Sequence, residues 1–243
     1  MRIIADYHTH TTYSHGLGSI EDNVVQARKI GLKRIAISDH GPGHMAYGIR
    51  KEKYKEMRQV INDLRSKYTD IEILLGMEAN ILDVEGNIDM DDELLALNDI
   101  LLAGYHFGSK PTKFFRDMTH HGHNIIAGKV PSLGWQVKQW NTEALVNAMY
   151  RHDIQLITHP GAKGPIDLDR VVEAGIATNT ALEINASHGY LTTEQLKQIK
   201  HTDVKFMINS DAHQPDHVGH FKAAIKRAKE AGLRVDQILN AEA

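Results

Sequence analysis

A parallel α/β architecture, closed as a barrel or left as an open sheet, is predicted by two observations. Short apolar runs recur seven times along the chain, and segments with helical spacing fall between them. The runs are nearly continuous in apolar character, which suits strands buried on both faces of a parallel sheet. At 243 residues the chain has the size at which an α/β barrel routinely forms one domain.

The first run, "RIIADYH" from Arg2, leads straight into "HTH" at 8–10. In "SIEDNVVQARKIGL" Ser19 can cap a helix with Asp22 three residues on, Val24, Ala27 and Ile30 share roughly one face, and Gly31 stops it. The second run, "RIAISDH" from Arg34, precedes helical spacing over 51–68. "EILLGMEANI" from Glu72 and "DILLAGYHF" from Asp99 follow as the third and fourth. Then come a helix over 142–152, "IQLITHPG" from Ile154, a helix over 167–177 and "ALEINAS" from Ala181. A helix over 192–200, "KFMINSDAH" from Lys205 and a helix over 221–232 complete the series.

Residues 108–140 break this rhythm. They hold two prolines, four glycines, both tryptophans and several basic residues, without sustained period 2 or 3.6. Connections of this length are usually functional, so the segment reads as an irregular insertion or lid on a single domain spanning 1–243. His120, His121 and His123 within it read as solvated loop residues.

Composition narrows the chemistry. With 28 basic and 31 acidic residues the formal net charge is −3, which predicts no stable nucleic-acid complex and no affinity for an anionic membrane. There is no cysteine, so disulfides and thiolate metal sites are excluded and a metal would be held by His, Asp and Glu. The N-terminal apolar run is too short for a signal sequence, and no stretch of about 18 apolar residues occurs. A soluble, cytoplasmic protein is expected.

Most of the seven runs end in side chains that can hold a metal. His8 and His10 close the first, Asp39 and His40 the second, Glu78 the third, His106 the fourth and His159 the fifth. The sixth carries Glu183 and Asn185, and the seventh ends in Asp211 and His213. In a strand, residues i and i+2 face the same way, so His8 and His10 project together, as do Asp211 and His213. The C-terminal ends of parallel strands converge in a barrel. A buried carboxylate or imidazole costs several kcal/mol unless paired or ligated, so this many at equivalent strand ends point to a metal site.

The ordered set "HTH" at 8–10, His15, "SDHG" at 38–41, "GMEANI" at 76–81, "GYH" at 104–106, "THPG" at 158–161, "LEIN" at 182–185 and "NSDAH" at 209–213 resembles the PHP family of metal-dependent phosphoesterases, and most its compact bacterial phosphatases. The resemblance spans positions 8 to 213. It implies a distorted (β/α)7 barrel and three divalent ions at the strand C-termini. By motif, His8, His10, Glu78 and Asp211 would hold one ion. Glu78 would bridge to a second, held also by His106 and His159, and His15, His40 and His213 would hold the third. Zinc is the first expectation, with manganese or iron also suited to an all N/O ligand set.

The implied activity is hydrolysis of phosphomonoesters of a small metabolite or nucleotide, with metal-bound hydroxide as nucleophile and no side chain committed as general acid. Lys163, His44 and Asn185 are candidate substrate contacts, although histidinol phosphatases of the family tend to carry arginine near Lys163. Three other readings stand beside this one. A phosphodiesterase or short-oligonucleotide exonuclease would use Lys110, Lys113, Arg116, Lys129 and Lys138. A non-catalytic regulatory module has no evident use for nine ligands. An amidohydrolase-type barrel would carry a lysine where this chain has Glu78 and His106. The expected partner is a small phosphorylated substrate, and a homo-oligomer is compatible with the sequence.

Overall fold

The computed structural model describes residues 1–110, 123–124 and 131–243. Seven parallel strands form one sheet in sequential order: β2 (Ala5–Asp6), β3 (Arg34–Ile37), β4 (Glu72–Asn80), β5 (Ile100–Gly104), β6 (Leu156–Ile157), β7 (Ala181–Asn185) and β8 (Phe206–Asn209). The helices between them are α1 (Ile20–Lys29), α2 (Lys51–Lys67), the short α3 (Asp92–Leu95), α4 (Pro131–Arg151), α5 (Leu168–Thr178) and α6 (Thr193–Ile199), with α7 (Lys222–Ala231) after β8. The sheet curls into a nearly closed, distorted (β/α)7 barrel, as the alternation predicts. The first apolar run divides at Ile4: Arg2–Ile3 form β1, which pairs antiparallel with β9 (Ala241–Glu242) outside the barrel.

Period 2 separates two apolar layers. Ile35, Ile37, Leu101, Ala103, Leu182, Ile184, Phe206 and Ile208 face outward into the large core shared with the helices. Alternate positions, Ala36, Ile100, Leu102, Ala181 and Met207, join Ala5, Tyr7 and Leu156 in a second cluster that draws on strands all around the sheet and fills the lower barrel. Two residues further along the same inward rows stand polar groups. Glu183 follows Ala181, and Asn209 follows Met207. The barrel therefore has an apolar floor and a polar upper layer.

Helix ends follow their sequence signals in part. Ser19 accepts from the Asp22 N–H and Asp22 reciprocates, giving the capping box at the start of α1, and Gly31 takes the left-handed conformation just past its end. Val24 and Ala27 are buried, but Ile30 lies at the cap, 43% exposed, and Ile20 takes the buried place instead. The helix expected over 142–152 begins at Pro131, so the last ten residues of the irregular segment are helical and Gly134, Trp135 and Trp140 lie inside α4. Proline is tolerated in a first turn, where its missing N–H has no intrahelical acceptor. Residues 111–122 and 125–130 lie outside the described residues, and with them most of the expected lid, including His120 and His121. His123 is half-buried, its ring stacked on Trp140 at 5.7 Å and 5°.

The seam between β2 and β8 is closed by side chains more than by a ladder. At the floor, the buried Asn240 accepts from the Ile208 N–H (3.0 Å) and donates to the carbonyls of Ala5 (2.8 Å) and Ile208 (2.7 Å). Higher up, the Tyr7 N–H donates to Asn209 Oδ1 (2.9 Å), and the Asp6 carboxylate accepts from Ser210 Oγ (2.5 Å), Ser210 N–H (3.1 Å) and Gly219 N–H (3.0 Å). Burial pushes the Asp6 carboxyl up to about 6 against those donors. At the top, Thr9 and Ala212 form a parallel bridge. Among the described residues no helix is long and apolar enough to cross a membrane.

Replacing Asn240 by Ala leaves an amide N–H and two carbonyls unpaired in the seam. Urea unfolding of the metal-free protein is expected to register a loss of about 3 kcal/mol, from roughly 1–3 kcal/mol per unsatisfied buried group. A loss below about 1 kcal/mol would show that the seam closes without it.

Candidate metal centre

The nine histidines and carboxylates of the ordered motif set, eight from strand ends and His15 from the loop after β2, converge at the top of the barrel. Glu78, fully buried at the inward face of β4, stands at the centre. Its Oε1 lies 3.0 Å from His159 Nε2, 3.1 Å from His106 Nε2 and 3.3 Å from His8 Nε2. Its Oε2 lies 3.1 Å from His40 Nδ1 and 3.7 Å from His10 Nε2. Asp211 Oδ1 approaches His10 Nε2 at 3.3 Å, His8 Nε2 at 3.6 Å and His213 Nδ1 at 3.6 Å. His15 completes the group, its ring 4.3 Å from His213 and 4.8 Å from His40.

Four triads of donor atoms fall within 4.8 Å: His10, His15 and His213; His8, His159 and Asp211; His8, His10 and Glu78; His40, Glu78 and His106. Together they contain these nine residues and none besides, among the described residues. Buried polar atoms normally find a hydrogen-bond partner, yet His10 Nδ1, His15 Nδ1, His40 Nδ1, His106 Nδ1 and Glu78 Oε2 have none. Of these, His40 Nδ1 and Glu78 Oε2 face one another in the cluster, and nitrogen and oxygen donors lying within 4.8 Å of one another fit divalent cations of the Zn, Mn or Fe kind.

Electrostatics prepare the donors. Burial pushes the His106 imidazole down to about 3, and burial with neighbouring His213 and His40 pushes His15 down to about 4, so both are neutral near pH 7. Burial also holds His10 well below the usual range. For Glu78 burial disfavours the charged form, but His106, His8 and His40 outweigh it and keep the carboxylate ionised. Burial likewise opposes charge on His8, and there Glu183, Glu78 and Asp211 win, raising its affinity for a proton.

Beneath the cluster lies a supporting layer. Glu183 Oε1 accepts from His8 Nδ1 (2.8 Å), which leaves Nε2 facing the cluster, and from Asn209 Nδ2 (3.0 Å). Its Oε2 accepts from the His159 N–H (2.7 Å) and Asn185 Nδ2 (2.9 Å). Carboxylates behind a ligating histidine fix its tautomer and its aim. Glu183 is therefore a metal-competent strand end that serves from behind. Asp39 points away from the cluster, as the residue next to His40 in a strand must. It accepts from the Thr11 N–H (2.7 Å), Thr11 Oγ1 (2.6 Å) and Ser14 Oγ (2.5 Å), and so fixes the loop that presents His15.

Two positions depart from regular strand geometry. His159 (φ 29°) and Asp211 (φ 55°) adopt left-handed backbone; the remaining non-glycine example among the described residues, Asn179, is a helix cap. Such residues cost of order 1–3 kcal/mol each and persist where the surroundings over-determine them. Asp211 and His213 accordingly meet by a turn, with His213 Nδ1 3.0 Å from the Asp211 carbonyl, and not by strand alternation.

Of the candidate substrate contacts, Lys163 lines the pocket above the cluster, half-buried. Asn185 does not: it is fully buried and donates to Glu183 and to Asp211 Oδ2 (3.1 Å). His44 lines the pocket, but its Nδ1 accepts from the N–H groups of Ala46 (3.3 Å) and Tyr47 (3.1 Å). Tyr47, Phe107, Ser187 and His188 line the pocket too and were not anticipated. His188 follows the β7 end by three residues, a strand-end loop position that could have drawn attention to it.

Known proteins share this arrangement of sequence and fold. A "probable phosphatase" of Thermoanaerobacter sp. (strain X514) is 31% identical over 258 residues, covering 100% of this chain and 92% of the relative. A "probable phosphatase" of Shewanella loihica is 32% identical over 251 residues, covering 99% and 90%. The DNA polymerase/3'-5' exonuclease PolX of Bacillus subtilis is 29% identical over 99% of this chain but only 39% of its own length. Among solved structures, histidinol phosphate phosphatase from Lactococcus lactis, complexed with zinc, L-histidinol and phosphate, superposes with a TM-score of 0.60 at 16% identity, covering 95% of this chain and 94% of that one. The PHP domain model matches residues 6–241, nearly the whole sequence. By that match and those relatives, the chain belongs to the PHP domain family.

Proposed function

We propose that this protein is a metal-dependent phosphatase that hydrolyses phosphomonoesters of a small metabolite or nucleotide. The observation that carries the reading is the set of four interlocking donor triads around Glu78. The relatives named phosphatases support it, as does the fold likeness to a phosphatase that holds zinc and phosphate.

Three ions suit nine donors. His8, His10, Glu78 and Asp211 would hold one, Glu78 with His106 and His159 a second, and His15, His40 and His213 the third, with zinc the first choice. When bound, such ions acidify a water into a nucleophile and neutralise the phosphoryl oxygens. The chain's own residues do the positioning. Glu183 holds His8 and the backbone of His159, Asp39 holds the loop before His15, and Lys163 offers an ammonium to the phosphate.

Nuclease action draws less support. Of the basic residues that reading needs, Lys138 pairs with Asp167 at 3.3 Å and Lys110 Nζ reaches the Pro42 carbonyl at 3.4 Å. Lys113, Arg116 and Lys129 lie outside the described residues.

Zinc-loaded protein is expected to turn over p-nitrophenyl phosphate in preference to the bis-p-nitrophenyl diester, with a chelated sample inactive; preference for the diester would replace the phosphatase reading with the nuclease one. His159→Ala should lose one metal equivalent by elemental analysis and lower kcat/KM by roughly 100-fold or more, the scale on which a misplaced catalytic group costs rate. Unchanged metal and turnover would remove His159 from the ligand set. For Glu183→Gln, chelator competition should show metal affinity weakened roughly 10–100-fold, the usual effect of losing a carboxylate behind a ligating histidine; undiminished affinity would make its hydrogen bond to His8 incidental.

A further inference from the structure

We infer that the pocket orients its substrate between two unlike walls, receiving the phosphate beside Lys163 and His188 and a flat, apolar leaving group against Tyr47 and Phe107. The inference deepens the phosphatase reading and rests on it.

Outside the nine-residue cluster, the described lining residues divide by chemistry and by position. On one side stand His44, Tyr47 and Phe107; on the other, Lys163, Ser187 and His188. The first wall is a ring surface. Tyr47 stacks on His15 at 4.4 Å and on His44 at 4.9 Å, both at 20°, and His44 stacks on His40 at 5.2 Å. The His44 Nδ1 is occupied by two backbone N–H groups, which hold the imidazole with its ring in this wall. Tyr47 (44%) and Phe107 (41%) remain open to solvent.

This wall is built to hold its shape. The loop after β3 and the loop after β5 pair through Met45 N–H to the Gly108 carbonyl (2.9 Å) and Lys110 N–H to the Gly43 carbonyl (2.7 Å). Asp89, half-buried beneath, accepts from the Gly43 N–H at 2.6 Å. Aromatic faces fixed in this way favour a stacked or apolar group.

The second wall is cationic and polar. Lys163 has no ion-pair partner among the described residues, and it lies near enough to His188 for the two to interact electrostatically. His188 is set by its N–H donating to Asn185 Oδ1 (2.7 Å) and by Asp211 Oδ2 at 3.4 Å from its Nε2. A phosphate dianion belongs on this side, with the scissile bond over the cluster between the walls.

The test compares 2-phenylethyl phosphate with glycerol 3-phosphate, both esters of primary alcohols, on zinc-loaded enzyme with metal content measured for every variant. The phenyl ester should be preferred by roughly 10-fold or more in kcat/KM, the scale of one well-placed apolar contact. Phe107→Ala should erase most of that preference and Phe107→Tyr should keep it, whereas Lys163→Met should slow both esters alike and leave the ratio standing. A ratio near one, a ratio untouched by Phe107→Ala, or a ratio changed by Lys163→Met overturns the two walls. Turnover of p-nitrophenyl phosphate without selectivity overturns the inference alone; no turnover of any monoester overturns the phosphatase reading with it.

Discussion

A single ionised carboxylate with no contact to solvent governs this molecule. Glu78 lies within 3.0–3.7 Å of five imidazole rings. An isolated charge in such a place would cost several kcal/mol, and only opposite charge or a ligated cation offsets that cost. Every other feature of the upper barrel serves that compensation. The rings come from four different strand ends or the loops beyond them, Glu183 fixes the His8 ring and the backbone of His159, and an apolar floor lies below. The barrel is thus less a scaffold to which a site is added than a means of bringing distant donors to one carboxylate.

Much of this was legible in the sequence because it depends on short-range periodicity. Buried parallel strands announce themselves as apolar runs, and Ser19 with Asp22 marks a helix start by chemistry alone. Eight of the nine donors could be gathered because strand ends in a barrel converge wherever the strands are correctly placed, whereas His15, in a loop, was singled out only by the family resemblance. Where alternation was extended beyond the strand it failed: Asp211 lies two residues past the end of β8, in left-handed backbone that no residue-type preference announces. Asp39 and Glu183 show the complementary limit. Their side-chain chemistry suits a metal, but one faces away from the cluster and the other sits behind it, and only position decides. The long helix from Pro131 was hidden for a different reason, since Pro131 and Gly134 look like breakers locally and packing of the helix against the barrel overrides them.

The supporting network also explains why the site and the fold are hard to separate. Asn209 accepts from Tyr7 across the seam and donates to Glu183 beneath the cluster. Asn185 joins Glu183 to Asp211, and Asp6 fixes Ser210 directly before Asp211. Hydrogen bonds that close the barrel therefore also aim the donors. Such networks are strong when complete and costly when one member is lost.

The seam has a consequence for synthesis. Its partners are far apart along the chain: Asn240 bonds Ala5 across 235 residues, Ser210 bonds Asp6 across 204, and Asn209 bonds Tyr7 across 202. Contacts this remote form late, after the entropy of closing a very long loop has been met. A ribosome releasing this chain residue by residue would hold an open, edge-exposed sheet carrying His8, His10 and Glu78 without Asp211 or His213 until β8 and the loop after it had emerged. Convergence of the donors is thereby tied to synthesis of the last barrel strand, and a chain halted before it would expose two unpaired sheet edges to aggregation.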